Sequence, residues 1–425
     1  MKPTFSFIEK IELVIYNLGI WFYSLFIHIA QYFHPKARLF VEGRAGQWTS
    51  LALFGETHKN DKILWIHCAS LGEFDQARPI IERLKKENTH LKIALTFFSP
   101  SGYEIRKDYD QADWIGYLPL DRKKKAAKFI DLLNPDGVII VKYEFWLQHL
   151  LWLQQKNIPT YLIAAVFRKD QVFFSKFGGL FRKVLRGFQH IFVQDDASKE
   201  RLKSINIQQV SVAGDPRIDS VMTRAKSYPN IPIAEKFIQS KRTLIIGSSW
   251  LKDMTILQNS INFLVNQNWK IILAPHDISP KNIEAHQRFF PKATVKYSEL
   301  TDKNSHKSIL LIDNIGLLAA LYQYGDIAYI GGGFGAGIHS TLEPAAFALP
   351  IIFGPKYEKF IEAGYFVQHK AAFCVNSAVG LEAAIQYLLN DQNYQNAMQV
   401  VRQFMDNNKG STDLILKEIK IRQDA

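Results

Sequence analysis

Residues 63–73 read Ile-Leu-Trp-Ile-His-Cys-Ala-Ser-Leu-Gly-Glu, an apolar run followed by small residues and an acid. We predict a buried strand at 63–66 and, from its amphipathic pattern, a helix at 75–86. A strand that leads through a short turn into a helix is how a βαβ unit begins. The stretch therefore predicts an α/β fold with a mostly parallel sheet.

The same alternation continues to residue 212 and starts again near Arg242. The first series of predicted strands is 63–66, 92–97, 137–141, 160–164, 190–193 and 210–212. The second series is 243–246, 269–274, 308–312, 327–330 and 350–353. Residues 226–235 contain two prolines and are predicted to link the halves. We therefore predict a GT-B architecture, in which two Rossmann-like domains, 41–225 and 226–425, face a cleft, with C-terminal helices in the second domain.

An apolar, aromatic-rich stretch at residues 11–33 is long enough for a bilayer span of about 20 residues. It also contains polar side chains, at Glu12, Asn17, His28 and Gln31. A single span, a helix lying in the membrane interface and a buried core helix therefore all stay open. Lys36, Arg38 and Arg44 follow it, and the positive-inside bias then places the globular part in the cytoplasm. We predict that residues 1–40 are an N-terminal hydrophobic membrane anchor.

The chain carries 52 basic and 40 acidic side chains, a formal net charge of +12. Nucleic acid, an anionic membrane surface and an acidic substrate could each explain this excess. Zinc fingers, RNA-recognition signatures and arginine-rich tracts are absent from the sequence, so no nucleic-acid partner is predicted. Two distant cysteines and the lack of HExxH or DxD motifs give no support for a metal, and no cofactor is predicted.

Charged side chains follow three predicted strands at their carboxyl ends, where ligands bind in parallel sheets. Glu73 falls in the first turn of a helix, where a carboxylate either caps the helix or serves a ligand. Lys142 and Glu144 follow strand 137–141 and either form a structural ion pair or point into the cleft. Arg217 either neutralises a phosphate or sugar carboxylate or pairs with a local aspartate.

A glycine-rich run, 331–337, follows predicted strand 327–330 and precedes Ser340-Thr341-Leu342-Glu343-Pro344. Glycines at this position expose backbone N–H groups, and a helix that begins near Ser340 or Thr341 adds its positive end. Phosphate is the ligand that such a loop favours, and Glu343 could hold ribose hydroxyls. A flexible turn is the alternative interpretation.

Taken together, these stretches resemble the 3-deoxy-D-manno-octulosonic acid (Kdo) transferases of lipopolysaccharide assembly. The resemblance is carried by EGRAG at 42–46, the HxxSxGE-type run at 67–73, the segment 96–102 with SPSG, YLPLD at 117–121, and the glycine-rich block 331–355 with LEPAA and FGP. It covers nearly the whole chain.

The resemblance implies an inverting transfer of Kdo from CMP-Kdo to a lipid A precursor of the lipid IVA type, with release of CMP and without a metal. It implies Glu73 as the general base, with Lys142 and Arg217 stabilising the transition state. The location it implies is the cytoplasmic face of the cell inner membrane. It assigns CMP binding to Pro275, His276, Ile315, Gly316, Leu317, Ser340, Thr341, Leu342 and Glu343. The chain departs from the family pattern at Lys142, Arg217, His276, Asp277 and Ser340.

Two alternatives stay open at this point. One is another GT-B enzyme that uses a UDP-sugar, such as a lipid-A-disaccharide synthase or a nucleotide-sugar epimerase. The other is a non-catalytic, membrane-tethered GT-B-like protein, which the changes at Lys142 and His276 allow. For the enzymatic interpretation, we expect the helix end to keep Glu73 ionised and ready to accept a proton.

Overall fold

The computed structural model describes residues 5–422, and the chain forms two compact units. Unit 1 runs to Asp219 and takes up the chain again from Lys409, whereas unit 2 is Ser220–Asn408. Within the described residues, each unit contains a seven-stranded sheet whose paired strands all run parallel. The prediction of two Rossmann-like domains is confirmed.

The sheet of unit 1 has the order β3-β2-β1-β4-β5-β6-β7. Its strands are β1 Ile63–Cys68, β2 Lys92–Phe97, β3 Trp114–Tyr117, β4 Gly137–Val141, β5 Thr160–Ala165, β6 His190–Val193 and β7 Val210–Val212. Its helices are α1 Phe7–Ala30, α2 Pro35–Ala45, α3 Gln47–Thr57, α4 Leu71–Glu87, α5 Pro100–Arg106, α6 Lys123–Leu133, α7 Leu147–Gln155, α8 Gly179–Arg186, α9 Asp196–Ser204 and α10 Pro216–Ser227, the last of which leads into unit 2.

The sheet of unit 2 has the order β10-β11-β9-β8-β12-β13-β14. Its strands are β8 Thr243–Ser249, β9 Lys270–Pro275, β10 Thr294–Lys296, β11 Ile309–Leu311, β12 Ile327–Ile330, β13 Ile351–Phe353 and β14 Ala372–Cys374. Its helices are α11 Pro232–Ile238, α12 Leu251–Asn266, α13 Pro280–Gln287, α14 Leu318–Leu321, α15 Leu342–Ala345, α16 Ile361–Gln368, α17 Ala378–Leu389 and α18 Asp391–Asn407.

Strand β1 shows why the sequence forms a sheet covered on both faces. All six of its residues are buried. Trp65 belongs to one apolar cluster, whereas Leu64 and Ile66 belong to another, so successive side chains enter cores on opposite faces. Helices on both faces of a parallel sheet explain the continuous apolar run.

Helix α1 packs along unit 1 instead of standing apart from it. The Tyr16 hydroxyl donates to Asp121 at 2.6 Å, and Gln148 Nε2 donates to Asn17 at 2.8 Å. By length and composition α1 could cross a membrane, with a mean hydropathy of 1.6. Its outer surface is exposed, and only 11% of its apolar 18-residue segment is buried.

The chain returns to unit 1 through a last helix, α19 Ser411–Glu418. Ile415 is fully buried in the core around β1, and Tyr161 Oη accepts a hydrogen bond from Lys420 N at 2.8 Å. Asp219 anchors the start of the helix by accepting from Gly410 N and Thr412 N. The predicted 226–425 domain with C-terminal helices therefore differs from the structure, because the apolar face of α19 is buried in unit 1.

This packing predicts that Ile415→Ala lowers the free energy of unfolding by about 2–4 kcal/mol, because it leaves a cavity in the core of unit 1. Leu414→Ala on the same helix is the matched control, since Leu414 is 52% exposed, and should change it by less than about 0.5 kcal/mol. Urea unfolding curves measure both. Equal effects of the two substitutions would contradict the packing of α19.

Candidate active site

The strand order of unit 1 reverses between β1 and β4, which are neighbours in the sheet. Loops that leave the carboxyl ends of two such strands diverge and open a crevice, the usual ligand position in these folds. The loop after β1 leads to Glu73, and residues 142–146 follow β4. The sequence-predicted Glu73 and Lys142 therefore both lie at the switch point.

Glu73 occupies the third position of α4, whose N-cap residue is Ser70 in an extended conformation. Its carboxylate accepts a hydrogen bond from the backbone N–H of Ala69, and the N–H of Ser70 also favours its charged form. A capping contact therefore exists. Gly72 has no left-handed backbone conformation, and a Cβ there would meet open space, so the turn does not require a glycine at this position.

The protonation of Glu73 differs from the prediction. Burial is the largest influence on its pKa, and the negative charge of Glu144 acts in the same direction. The Ala69 N–H and the charge of Lys142 oppose them, and the resulting pKa is raised to about 7. The expectation that the helix end keeps Glu73 fully ionised is wrong, since burial and a like charge outweigh it. A carboxylate that titrates near neutral pH suits a general base.

Glu144 is held by a chain of hydrogen bonds that begins inside the sheet. Trp65 Nε1 donates to Thr96 Oγ1 at 2.7 Å, and Thr96 Oγ1 lies 2.9 Å from His67 Nδ1. Burial lowers the pKa of His67, so its ring is neutral at pH 7. Because the Glu144 carboxylate only accepts, we assign the ring hydrogen to His67 Nε2, 3.4 Å from Glu144. Trp146 Nε1 donates to the same oxygen at 2.6 Å.

Lys142 begins the loop after β4 in an unusual backbone conformation. Its φ of 59° lies in the left-handed region, which non-glycine residues seldom occupy and which costs energy. The positive charge of Lys142 lowers the pKa of Glu73 and that of Asp215. The strained turn therefore places a cation where it acts on both carboxylates.

Arg217 forms an ion pair with the buried Asp215 through two of its guanidinium nitrogens. Its Nη2 and Nε lie 2.7 and 3.0 Å from Asp215 Oδ2, which also accepts from Gln76 at 3.1 Å and Gln194 at 3.3 Å. Burial would raise the pKa of Asp215, but Arg217 and then Lys142 outweigh it, and the pKa is lowered. Of the two sequence-based alternatives for Arg217, the structure contains the pair with a local aspartate.

In unit 2 the strand order reverses between β8 and β12, and an acid missed by the sequence analysis lies there. Asp253, at the third position of α12, accepts from Trp250 N at 2.8 Å, Gly332 N at 3.0 Å and the Tyr329 hydroxyl at 3.0 Å. It thereby ties the helix start to β12 and the glycine-rich loop. The sequence signal was an acid three residues after a helix start that follows a strand.

The glycine-rich loop is packed tightly against its neighbours. A Cβ on Gly331 would lie 2.3 Å from the Ser248 carbonyl oxygen, and Gly332 has a φ of +92°. The N–H of Gly332 donates to Asp253, and those of Gly335 and Gly337 donate to the Gly332 carbonyl. The expectation that the glycines free their N–H groups is wrong for these three, because internal hydrogen bonds use them.

A pocket of about 440 Å³ in unit 2 brings together some of the residues predicted to bind CMP. The predicted residues that line it are Pro275, His276, Ile315 and Gly316. The ring of His276 stacks on Trp250 at 4.5 Å and lies 4.6 Å from the ring of His339. This pocket has the size of a small-ligand site.

The other predicted CMP-binding residues do not line this pocket. Leu317 precedes α14, and Thr341 and Leu342 are buried. Thr341 Oγ1 lies 3.4 Å from Glu362, and Ser340 Oγ accepts from Leu342 N. Glu343 is half-buried in α15, a helix of only four residues. The predicted helix start is present, but a single turn adds little of the helix dipole.

Across residues 5–422, no group of three or more His, Cys, Asp or Glu side chains is arranged to hold a metal ion. Burial raises the pKa of the Cys68 thiol, which adjoins the Glu73 turn, and a thiol of raised pKa is a poor nucleophile. The titratable groups that interact with Glu73 are instead the carboxylate of Glu144 and the cation of Lys142.

The two charges near Glu73 give a pair of opposite predictions. Glu144→Gln should lower the pKa of Glu73 by roughly 1, because it removes a like charge, and Lys142→Met should raise it by a similar amount. The titration of ¹³C-labelled glutamate side chains by NMR measures the pKa, with Glu73→Gln to assign the signal. Shifts of the same sign in both variants would contradict this electrostatic arrangement.

Comparisons with known proteins show which proteins this chain is similar to. Residues 43–220 match the family model described as 3-deoxy-D-manno-octulosonic-acid transferase. The Kdo transferase of Aquifex aeolicus is 29% identical over 343 residues, 79% of this chain and 88% of that protein. For the Haemophilus influenzae Kdo transferase, identity is 28% over 77% of this chain and 79% of that protein.

A solved structure shows the fold. The UDP-GlcNAc 2-epimerase of Neisseria meningitidis, 17% identical, superposes with a TM-score of 0.58 over 84% of this chain and 99% of the epimerase. This likeness supports the two-domain architecture alone. Through the family model matched by residues 43–220 and through these relatives, the chain is similar to the glycosyltransferases of the Kdo transferase family.

Proposed function

We propose that this chain transfers Kdo from CMP-Kdo to a hydroxyl group of a lipid A precursor, with inversion at the anomeric carbon and release of CMP. The observation that carries the proposal is Glu73, a carboxylate of pKa about 7 at the switch point of unit 1. It stands in the His67–Glu73 run and in the part of the chain that matches the family model. Kdo transfer in lipopolysaccharide synthesis is what that family performs.

In the proposed step, ionised Glu73 accepts the proton of the acceptor hydroxyl while the oxygen of that hydroxyl bonds to the anomeric carbon. The bond from that carbon to the CMP phosphate breaks, and its electron pair leaves with CMP. General base catalysis of this kind contributes typically 10²–10⁴ in rate. Charge develops on the sugar ring as in other glycosyl transfers.

The proposed role of Lys142 is electrostatic. It acts on both Glu73 and Asp215. A cation at this position favours the anionic groups of the reactants, which are the Kdo carboxylate, the leaving phosphate and the phosphates of the acceptor. Arg217, paired with Asp215, is proposed to stabilise the same charges. These roles follow the family pattern, in which the two positions stabilise the transition state.

For the donor, we propose binding of CMP in unit 2. The pocket lined by Pro275, His276, Ile315 and Gly316 supports this assignment, with the stacked ring of His276 beside it. Leu317 and the segment Ser340–Glu343 complete the proposed site on the strength of the family pattern. No metal and no organic cofactor enters the proposed reaction.

Attachment to the cytoplasmic face of the inner membrane is also proposed, through α1. Its exposed apolar surface supports this location, and so does the excess of basic side chains. An enzyme with a lipid acceptor gains from permanent proximity to the bilayer, because the acceptor does not leave it.

The base assignment predicts that Glu73→Gln lowers the transfer rate by about 10²–10⁴ and leaves CMP-Kdo binding within about threefold. Mass spectrometry of the lipid product and calorimetric titration of the donor measure the two quantities. Glu87→Gln, an exposed acid at the other end of α4, is the matched control and should transfer normally. Normal turnover by Glu73→Gln would refute the assignment.

The same variant separates a catalytic role from a structural one. Because the pKa of Glu73 is raised above its ordinary value of 4.5 to about 7, the folded protein binds more protons than the unfolded chain between these pH values. Stability is therefore lost as pH rises through that window. Glu73→Gln should raise the free energy of unfolding at pH 8 by about 1–3 kcal/mol and leave it nearly unchanged at pH 4. A structural cap would lose stability at both.

The donor assignment predicts that CMP raises the melting temperature of the protein and that UDP at the same concentration raises it less. His276→Ala should weaken CMP binding by about tenfold, through loss of the ring that stacks on Trp250. His306→Ala, an exposed histidine of unit 2, is the control. Equal protection by UDP would favour a UDP-sugar donor.

A further inference from the structure

Helix α1 exposes its apolar face, whereas a helix on the surface of a soluble protein buries that face. Most of its exposed side chains are apolar, whereas Lys10, Asn17 and His28 are exposed polar ones. The exposed apolar side chains are Phe7, Ile8, Ile11, Val14, Ile15, Leu18, Trp21, Phe22, Leu25, Phe26 and Ile29, each 45–79% exposed. At 3.6 residues per turn they share an arc of about 140° that no charged residue of the helix enters. A contiguous apolar stripe of this length marks a surface that meets an apolar partner.

The opposite face of α1 carries the polar groups and joins them to unit 1. Glu9 pairs with Lys183 at 3.1 Å, and Glu12 accepts from Leu180 N at 2.7 Å, at the positive N-terminal end of α8. Tyr16 donates to Asp121. These contacts fix the side of the helix that faces the protein.

The polar face argues against a transmembrane orientation. A spanning helix is surrounded by hydrocarbon unless other spans cover it, and its carboxylates would then lie in lipid at a high cost. Glu9 and Glu12 are instead paired with the body of unit 1, and Tyr23, two turns after Tyr16, stacks on Phe98. Unit 1 thus covers one side of α1 along most of its length, and only the opposite side is left for lipid.

A groove and a group of cations adjoin the helix. The groove, of about 850 Å³, is bordered by apolar side chains of α1 and α7: Leu13, Ile20, Trp21, Leu151 and Trp152. Arg122 and Lys123, at its edge, begin the run Arg122–Lys125 at the start of α6. The first turn of α6 has no acidic residue, and the Asp121 carboxylate, which also lines the groove, is hydrogen-bonded to Tyr16 and His149, so the cations add to the positive helix end. An anionic surface would compensate them.

We propose that α1 lies in the plane of a single leaflet, with its apolar stripe among the acyl chains and residues 122–125 on the phosphate headgroups. The occupant of this face is an anionic lipid bilayer. The proposal deepens the membrane attachment proposed above, and it does not depend on the transfer reaction. It resolves the choice between a span and an interfacial helix, which the sequence left open.

An in-plane helix would also position the reaction. The Tyr23 ring stacks on Phe98 at 6.3 Å, Phe98 lies 4.4 Å from Trp146, and Trp146 donates to Glu144. Three consecutive contacts therefore connect the lipid-facing helix to the crevice that holds Glu73. A helix that lies flat keeps this crevice at headgroup height, where the hydroxyl of a lipid acceptor is found.

A depth profile tests the orientation. Single cysteines that replace Ile8, Ile15, Phe22 or Ile29 carry an environment-sensitive fluorophore in full-length Cys374→Ser protein, with the buried Cys68 left in place. On vesicles of phosphatidylglycerol and phosphatidylethanolamine, depth-dependent quenchers should place all four labels at one depth. A span requires depths that differ by about 30 Å across these positions. A label at Lys86→Cys should stay in water.

Two further measurements complete the test. Lys123→Ala/Lys124→Ala should weaken binding to anionic vesicles by about tenfold or more, with little change on neutral phosphatidylcholine, and Lys86→Ala/Lys303→Ala is the control. Circular dichroism verifies folding, and Ile15→Asn gives a second variant that should reduce binding.

A depth gradient along α1 would overturn the in-plane orientation. Labels that stay in water on every vesicle would overturn the proposal altogether. A change in oligomeric mass for Ile15→Asn with unchanged vesicle binding would show a second copy of the chain as the occupant and reject it too. Transfer to detergent-solubilised acceptor is measured separately, so a failure of the proposed reaction is distinguishable from a failure of this orientation.

Discussion

The burial of Glu73 beside a second carboxylate, Glu144, is the constraint on which the site of unit 1 depends. Burial raises the pKa of Glu73 most and the charge of Glu144 adds to it, whereas the Ala69 N–H and the charge of Lys142 limit the increase. Glu144 exerts this effect only if its charge is held in place, which the contacts from Trp146 and His67 achieve. The buried His67 stays neutral, so it fixes Glu144 without cancelling its charge.

Glu144, whose charge raises the pKa of Glu73, is also connected through Trp146 to the aromatic side chains beside the proposed membrane face. Trp146 donates to Glu144 through its ring nitrogen and contacts Phe98 with its ring face. Phe98 packs against Tyr23 of α1 and Phe40 of α2, and Arg44 lies over Phe40 at 3.4 Å. One tryptophan therefore contacts both the aromatic side chains that pack against α1 and the carboxylate whose charge raises the pKa of Glu73.

The sequence predicts interior strands much better than edge strands. The interior strands β2, β4, β6 and β12 have the predicted bounds, because strands covered on both faces need continuous apolar runs. One edge strand, β7 Val210–Val212, also has the predicted bounds. The three strands that were not predicted are Trp114–Tyr117, Thr294–Lys296 and Ala372–Cys374, and each lies at the edge of its sheet. An edge strand has a single neighbour, so short or mixed sequences suffice there. Long-range contacts, such as Ile415 in the core of unit 1, have no local pattern at all.

A comparison between the two units shows why sequence position alone did not distinguish Glu73 from Asp253. Glu73 and Asp253 both occupy the third position of the helix that follows a switch-point strand. Asp253 accepts from two backbone N–H groups and the Tyr329 hydroxyl, and so it serves to hold a loop. Glu73 instead faces a second carboxylate, and its raised pKa follows from that neighbour and from burial. The start of the helix positions both acids, and the loop from the adjacent strand determines whether the acid is held by hydrogen bonds to that loop or lies near a second carboxylate.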